Sequence, residues 1–198
     1  MTAMERGEHH QQLMASAIER DAEGQRALLE GDGQAARVAF TAAAELYRRS
    51  WELAPPGSYG RLVGMLKSAV LAGGGSGEAE YVRAGLADLQ TASPTASYAQ
   101  AVAAMIAGDD ATATRAAGEM RAGSEAFRRT ADAVVALCER DRDAYAAALR
   151  EIARDFEGRE RHLTGVPIAD TGVMLERLAE RRGMTADVDS RLLPPSRW

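Results

Sequence analysis

Four groups of residues in this chain have types that suit chemistry. His9 and His10 stand beside Glu5 and Glu8, and Glu5 shares a helical face with His9 at i,i+4, a spacing that suits a metal. A full site needs more ligands, His162 is the only other histidine, and neither HExxH nor a paired ExxH occurs. The cluster therefore reads as a solvated helix start, and no metal is expected. Residues 73–80, GGGSGEAE, are glycine-rich like a phosphate loop. They follow a helix, lack the Gly-Lys-Ser/Thr ending and place Glu78 and Glu80 where a phosphate would sit, so they read as a flexible connector without a cofactor. Asp141, Asp143, Asp155, Glu157 and Glu160 alternate with six arginines between Arg140 and Arg161. Paired catalytic carboxylates need a dry pocket that shifts one pKa, whereas a charge-laced outer helix face needs nothing further, and the second reading is preferred. Cys138 lies in the apolar run AVVALCE and reads as a small buried residue. No nucleophile elbow and no cysteine–histidine arrangement appears, so no catalytic residue is assigned and the chain reads as a non-enzyme.

The fourth group is the segment 47–67, YRRSWELAPPGSYGRLVGMLK. It holds Tyr47, Trp51, Tyr59 and the only lysine, Lys67, in a chain whose aromatic content is 5%. Tyr47 and Trp51 belong to an apolar helix face and are expected in the core. Tyr59, Arg61, Lys67, Tyr98 and Gln100 fall on the first helices of successive pairs, with Arg128 and Arg129 on a corresponding helix later. A groove carrying amphipathic tyrosines and arginines suits a peptide or an acidic protein segment, and these seven residues are the candidate partner-binding set. The same positions also fit ordinary surface.

The elements that carry these residues read as helices throughout. Alanine dominates and aromatics are few, which favours helices packed at short distance. The periodic segments are 2–30, 34–54, a helix capped by Ser58 and running to 72, 78–90, 94–107, 111–121, 124–140, 142–157 and 167–182, the last opened by Pro167 and closed by Gly183. On the second, Ala36, Phe40, Ala43, Tyr47 and Trp51 step by three or four along one face. Pro55-Pro56-Gly57 breaks the chain before the third, which is apolar nearly all round and expected to lie centrally, with Gly60 and Gly64 allowing close backbone approach. Residues 184–198 lack a helical period and are expected as an extended strap.

Turn positions Gly31, Gly74, Gly108 and Asp141 recur at spacings of 43, 34 and 33 residues. Five residues past each is alanine (Ala36, Ala79, Ala113, Ala146), and twelve past each is Ala43, Leu86, Met120 or Ala153. Stacked helix–turn–helix units require a small residue where paired helices cross and an apolar residue two turns on. On Gly31, Ala36, Phe40 and Ala43, then Gly108 and Ala113, the chain resembles the tetratricopeptide repeat (TPR) family over about residues 15–157. Pro55 and Pro94 match the helix-ending proline. The aromatic near the start of the first helix is not matched, and Arg83, Ala117 and Arg150 replace the Phe40 equivalent. The C-terminal third, about residues 134–195, also resembles helical immunity proteins that neutralise bacterial polymorphic toxins: an alanine-rich helix pair, a final helix ending Arg182-Gly183, and a Ser190…Leu193-Pro194 tail.

These readings converge on an all-α, single-domain chain of about nine helices stacked in antiparallel pairs as a TPR-like superhelix. The expected role is a cytoplasmic module binding a protein or peptide through its concave face; an immunity protein and a structural homodimer are the other readings. A net charge of −5 argues against nucleic acid. No window approaches 18 apolar residues, so no membrane span is expected. A lone cysteine excludes an internal disulfide framework.

Overall fold

The computed structural model describes residues 3–87, 93–186 and 188–194, with side chains from residue 7 onward. Its described residues form helices α1 (Ala3–Leu29), α2 (Gly33–Leu53), α3 (Gly60–Leu71), α4 (Ser76–Gly85), α5 (Pro94–Ala107), α6 (Asp110–Met120), α7 (Glu125–Glu139), α8 (Arg142–Glu157) and α9 (Asp170–Glu180). The fold is all-α, and no described helix is long and apolar enough to cross a membrane. The expected end of the fourth helix, to Gln90, lies outside the described residues.

Local chemistry explains three of the corners. Asp32, Asp109 and Asp141 each accept a hydrogen bond from the backbone N–H three residues on, at 2.9–3.0 Å, and so open α2, α6 and α8. The residue before each aspartate adopts left-handed backbone: Gly31 (φ 80°), Gly108 (φ 76°) and Arg140 (φ 61°). The aspartate N–H then reaches back to Ala27, Ala104 or Ala136, closing the preceding helix with the same bond each time. Four residues past the Asp32 and Asp109 caps the buried residue is the small Ala36 or Ala113, but four past Asp141 it is the bulky Tyr145, and the expected Ala146 is only half-buried. The cap sets the register: the residue equivalent to Gly31 and Gly108 is Arg140 and not Asp141.

Some helix starts differ from the sequence reading. Ser58 does not cap α3: its hydroxyl donates to the Pro55 carbonyl at 2.7 Å, tightening the proline corner, and Tyr59 occupies the cap position. Pro167 does not open α9. The segment before Asp170 is instead tied to the C-terminal segment, the Ala169 N–H donating to the Leu192 carbonyl at 2.9 Å. Ser76 and Gly77, read as connector, already belong to α4.

Consecutive helices pack on one another, and α5 also touches both α3 and α7 directly. α9 returns to lie against α3, α7 and α8. It is buried on almost every side, from Thr171 through Ala179. The chain after it packs back over α9. Leu192 is buried, Ala186 N–H donates to Glu176, and a Cβ at Gly172 would sit 2.9 Å from Leu193. Aromatic rings of α2 need glycine on their neighbours. Phe40 lies where a Gly24 Cβ would be, at 2.8 Å, and Tyr47 lies where a Gly64 Cβ would be, also at 2.8 Å. Gly60, by contrast, faces open space, so only Gly64 serves close approach.

Candidate functional site

The seven candidate residues do not share one surface. Lys67 points inward from α3 and forms an ion pair with Asp170 at the start of α9, at 2.7 Å. Burial works to lower the Lys67 pKa, but Asp170, helped by Tyr98 and Asp21, outweighs it and the net shift is upward. Tyr98 is 8% exposed, meets Phe127 edge-on at 5.9 Å, and is buried beside α9. Neither residue is presented to an outside partner, because the face formed by α3, α5 and α7 is covered by the chain's own last helix. Gln100 is half-buried, its amide 3.5 Å from the Leu86 carbonyl. Arg128 is exposed and pairs with Glu125 at 2.6 Å, while Arg129 pairs with Asp155 of α8 at 2.9 Å.

Tyr59 and Arg61 do come together, at the corner between α2 and α3. The Tyr59 ring lies 5.7 Å from that of Trp51, tilted by 34°. Arg61 donates to the Ser50 hydroxyl at 2.8 Å and approaches Nδ1 of His10 at 2.9 Å. Ser50 in turn donates to the His10 carbonyl at 2.7 Å. His10 is therefore buried, at 6% exposure, and not part of a solvated helix start. Its role is to tie α1 to α2 and α3. The Glu5 side chain lies outside the described residues; among those described, no three His, Cys, Asp or Glu side chains converge on one point. A little further along α2, the Arg48 guanidinium sits 4.5 Å above the Tyr81 ring and pairs with Glu52, which also accepts from the Tyr81 hydroxyl at 3.3 Å. Trp51, Tyr59 and Tyr81 are each half-buried, with Arg48 exposed beside them. Amphipathic rings fixed by neighbours and flanked by guanidinium groups lose little freedom on binding, which is why such residues dominate protein interfaces.

A second polar assembly lies inside. Asp21 of α1 accepts from the Tyr47 hydroxyl at 2.8 Å and from the Ser68 hydroxyl at 2.7 Å. Burial, opposed by these two hydrogen bonds and by the Lys67 charge, pushes the Asp21 pKa up to about 6. A similar pair joins the Tyr145 hydroxyl to Glu176 of α9 at 2.7 Å, where burial again raises the carboxylate's pKa. Both pairs tie neighbouring helices. Cys138 is half-buried and its thiol pKa is raised by burial, which disfavours the reactive thiolate.

The arginines of the expected charged face have two roles. Arg154 pairs with Glu151 and Arg159 with Asp155 within α8, as a solvated face requires. Arg140 and Arg142 instead donate to the Arg182 and Gly183 carbonyls, closing the exposed C-terminus of α9.

Sequence reasoning missed Asp21, Trp51 and Tyr81 as site members. Asp21 had a signal: it falls on the Ala17–Leu28 side of α1, a carboxylate within an apolar stripe. Tyr81 had none, since its approach to Arg48 depends on how α4 is laid against α2. Compared with known proteins, the chain matches no family model, no curated protein and no solved structure.

Proposed function

We propose that this chain is a non-enzymatic, TPR-like helical-repeat module that binds a protein or peptide partner. The repeat reading is supported by the recurring left-handed-residue–aspartate corner and by the direct stacking of α3, α5 and α7, the first helices of successive pairs. The observation that carries the binding reading is the aromatic–guanidinium patch at the α2–α3 corner. It gathers three of the chain's ten aromatic residues, Trp51, Tyr59 and Tyr81, with Arg48 and Arg61. On this reading the docking surface lies outside the groove expected from sequence, whose Lys67 and Tyr98 are held by α9.

The test is affinity capture by the tagged chain from its source's lysate, beside a bait carrying Arg48→Glu and Tyr59→Ser. Both baits must give the same helical circular dichroism. The expected result is one stoichiometric protein that the variant bait loses; a toxin in that position would make the module an immunity protein. Equal retention by both baits would overturn the patch assignment, and capture of the chain itself would turn the surface into a homodimer interface.

A further inference from the structure

Away from the corner patch, a half-open cavity of about 240 Å³ lies between α2, the end of α3 and the end of α9. Its floor is apolar, formed by the buried Val70 and Leu71, and Gly73 leaves one wall without a side chain. Three guanidinium groups line the rest: Arg37 from α2, Arg177 from the last turn of α9, and Arg181 at its C-cap.

Two of these cations are held in a way that leaves their charge unmatched. Elsewhere Arg115, Arg128 and Arg159 each face a carboxylate at 2.6–2.9 Å. Arg37 donates instead to the neutral Gln34 amide oxygen at 2.7 Å, and Arg181 to the Gly74 carbonyl at 2.8 Å. Neither forms an ion pair among the described residues. Glu180, which also lines the cavity, is engaged by Arg177 at 3.0 Å. Partial burial, then the charges of Arg177 and Arg182, lower the Arg181 pKa, and Glu180 offsets only part of this. Like charges gathered on one concave surface repel each other and raise the local concentration of anions.

We infer that this cavity binds a phosphate-type dianion, free or as the phosphoryl group of a small phosphomonoester. A carboxylate presents two oxygens and matches one planar guanidinium fork, whereas a phosphoryl group can accept from two forks at once. Arg37 and Arg181 each spend one N–H on a neutral anchor and keep further donors for the ligand. The anchors also fix the side chains, which reduces the freedom lost on binding. The volume exceeds the roughly 150 Å³ that accepts a benzene ring, so an ester group fits over Val70 and Leu71.

The test uses the full chain at constant ionic strength, with inorganic phosphate, phenyl phosphate and acetate as probes and calorimetric titration as the readout. We expect both phosphates to saturate at millimolar concentration and acetate to bind about tenfold more weakly, the difference between two guanidinium forks and one. Arg37→Gln should weaken both phosphates about three- to tenfold, and Arg181→Gln at least as much. Glu180→Gln should tighten them by removing a like charge. Arg154→Gln, on α8 and outside the cavity, should change nothing. Tighter phenyl phosphate would identify a phosphomonoester and tighter inorganic phosphate the free anion; both orders support the site. The inference is overturned if neither phosphate saturates, if acetate binds as tightly, or if Arg37→Gln leaves binding intact. It is equally overturned if Arg154→Gln weakens binding as much as Arg37→Gln does, since the attraction would then be a diffuse surface effect. Arg37 is exposed, so this arm stands even if Arg181→Gln fails to fold. The corner patch uses none of these residues, so either site can fail without the other.

Discussion

Replacing Asp21 with asparagine should make the protein more stable at neutral pH. The Asp21 pKa stands at about 6 against an ordinary 3.8, and at about 1.4 kcal/mol per unit the folded state bears roughly 3 kcal/mol for keeping this carboxylate ionised. Asparagine fits the same partners. Its carbonyl accepts from Tyr47, and its amide donates to the Ser68 oxygen, whose own proton passes to the Gly64 carbonyl 2.9 Å away. The sign follows from proton binding. The folded chain holds the Asp21 proton more tightly than the unfolded chain, so its stability falls as pH rises from about 4 to about 6 and is flat in this group above. The variant lacks that slope. Urea unfolding followed by circular dichroism should therefore give coincident stabilities near about pH 4 and a gap of about 2–3 kcal/mol in favour of Asp21→Asn near about pH 7.5. For a chain of this size that gap raises Tm by about 5–10 °C. A variant no more stable at neutral pH, or a gap that does not change with pH, would refute the reasoning.

Two further outcomes follow from the packing. Gly64→Ala drives a methyl to 2.8 Å from the buried Tyr47 ring and should cost about 1–3 kcal/mol, whereas Gly60→Ala, facing open space, should be neutral or stabilise by up to about 1 kcal/mol; thermal melts of the pair check both. Lys67→Met removes the cation that faces Asp170 and should cost about 2–4 kcal/mol in urea unfolding. A change below about 0.5 kcal/mol, typical of a free surface site, would return Lys67 to the candidate binding surface.

Short-range sequence pattern accounts for the helices and for three of the corners between them. The three- and four-residue steps from Ala36 to Trp51, and aspartates placed after Gly31, Gly108 and Arg140, act within a few residues of themselves, so their consequences are local and readable. It also determined that Tyr47 is core, because a ring on a periodic apolar face has nowhere else to go. Which face stays open follows instead from packing between distant elements. Lys67 and Tyr98 sit on first helices, as a groove requires, but α9 returns from about 100 residues away to pair Asp170 with Lys67 and cover both. Nothing in the local pattern of α3 or α5 encodes that return; it depends on α9 carrying Val173, Met174, Leu175 and Leu178, which need a buried seat. The same distance hides the corner patch, where Trp51 and Tyr59 are only eight residues apart but Tyr81 arrives only through the packing of α4. It hides the arginine-lined cavity as well, since Arg37, Val70 and Arg177 come from three different helices. Side-chain period fixes what a helix buries, while the identity of the partner it buries against is a property of the whole chain.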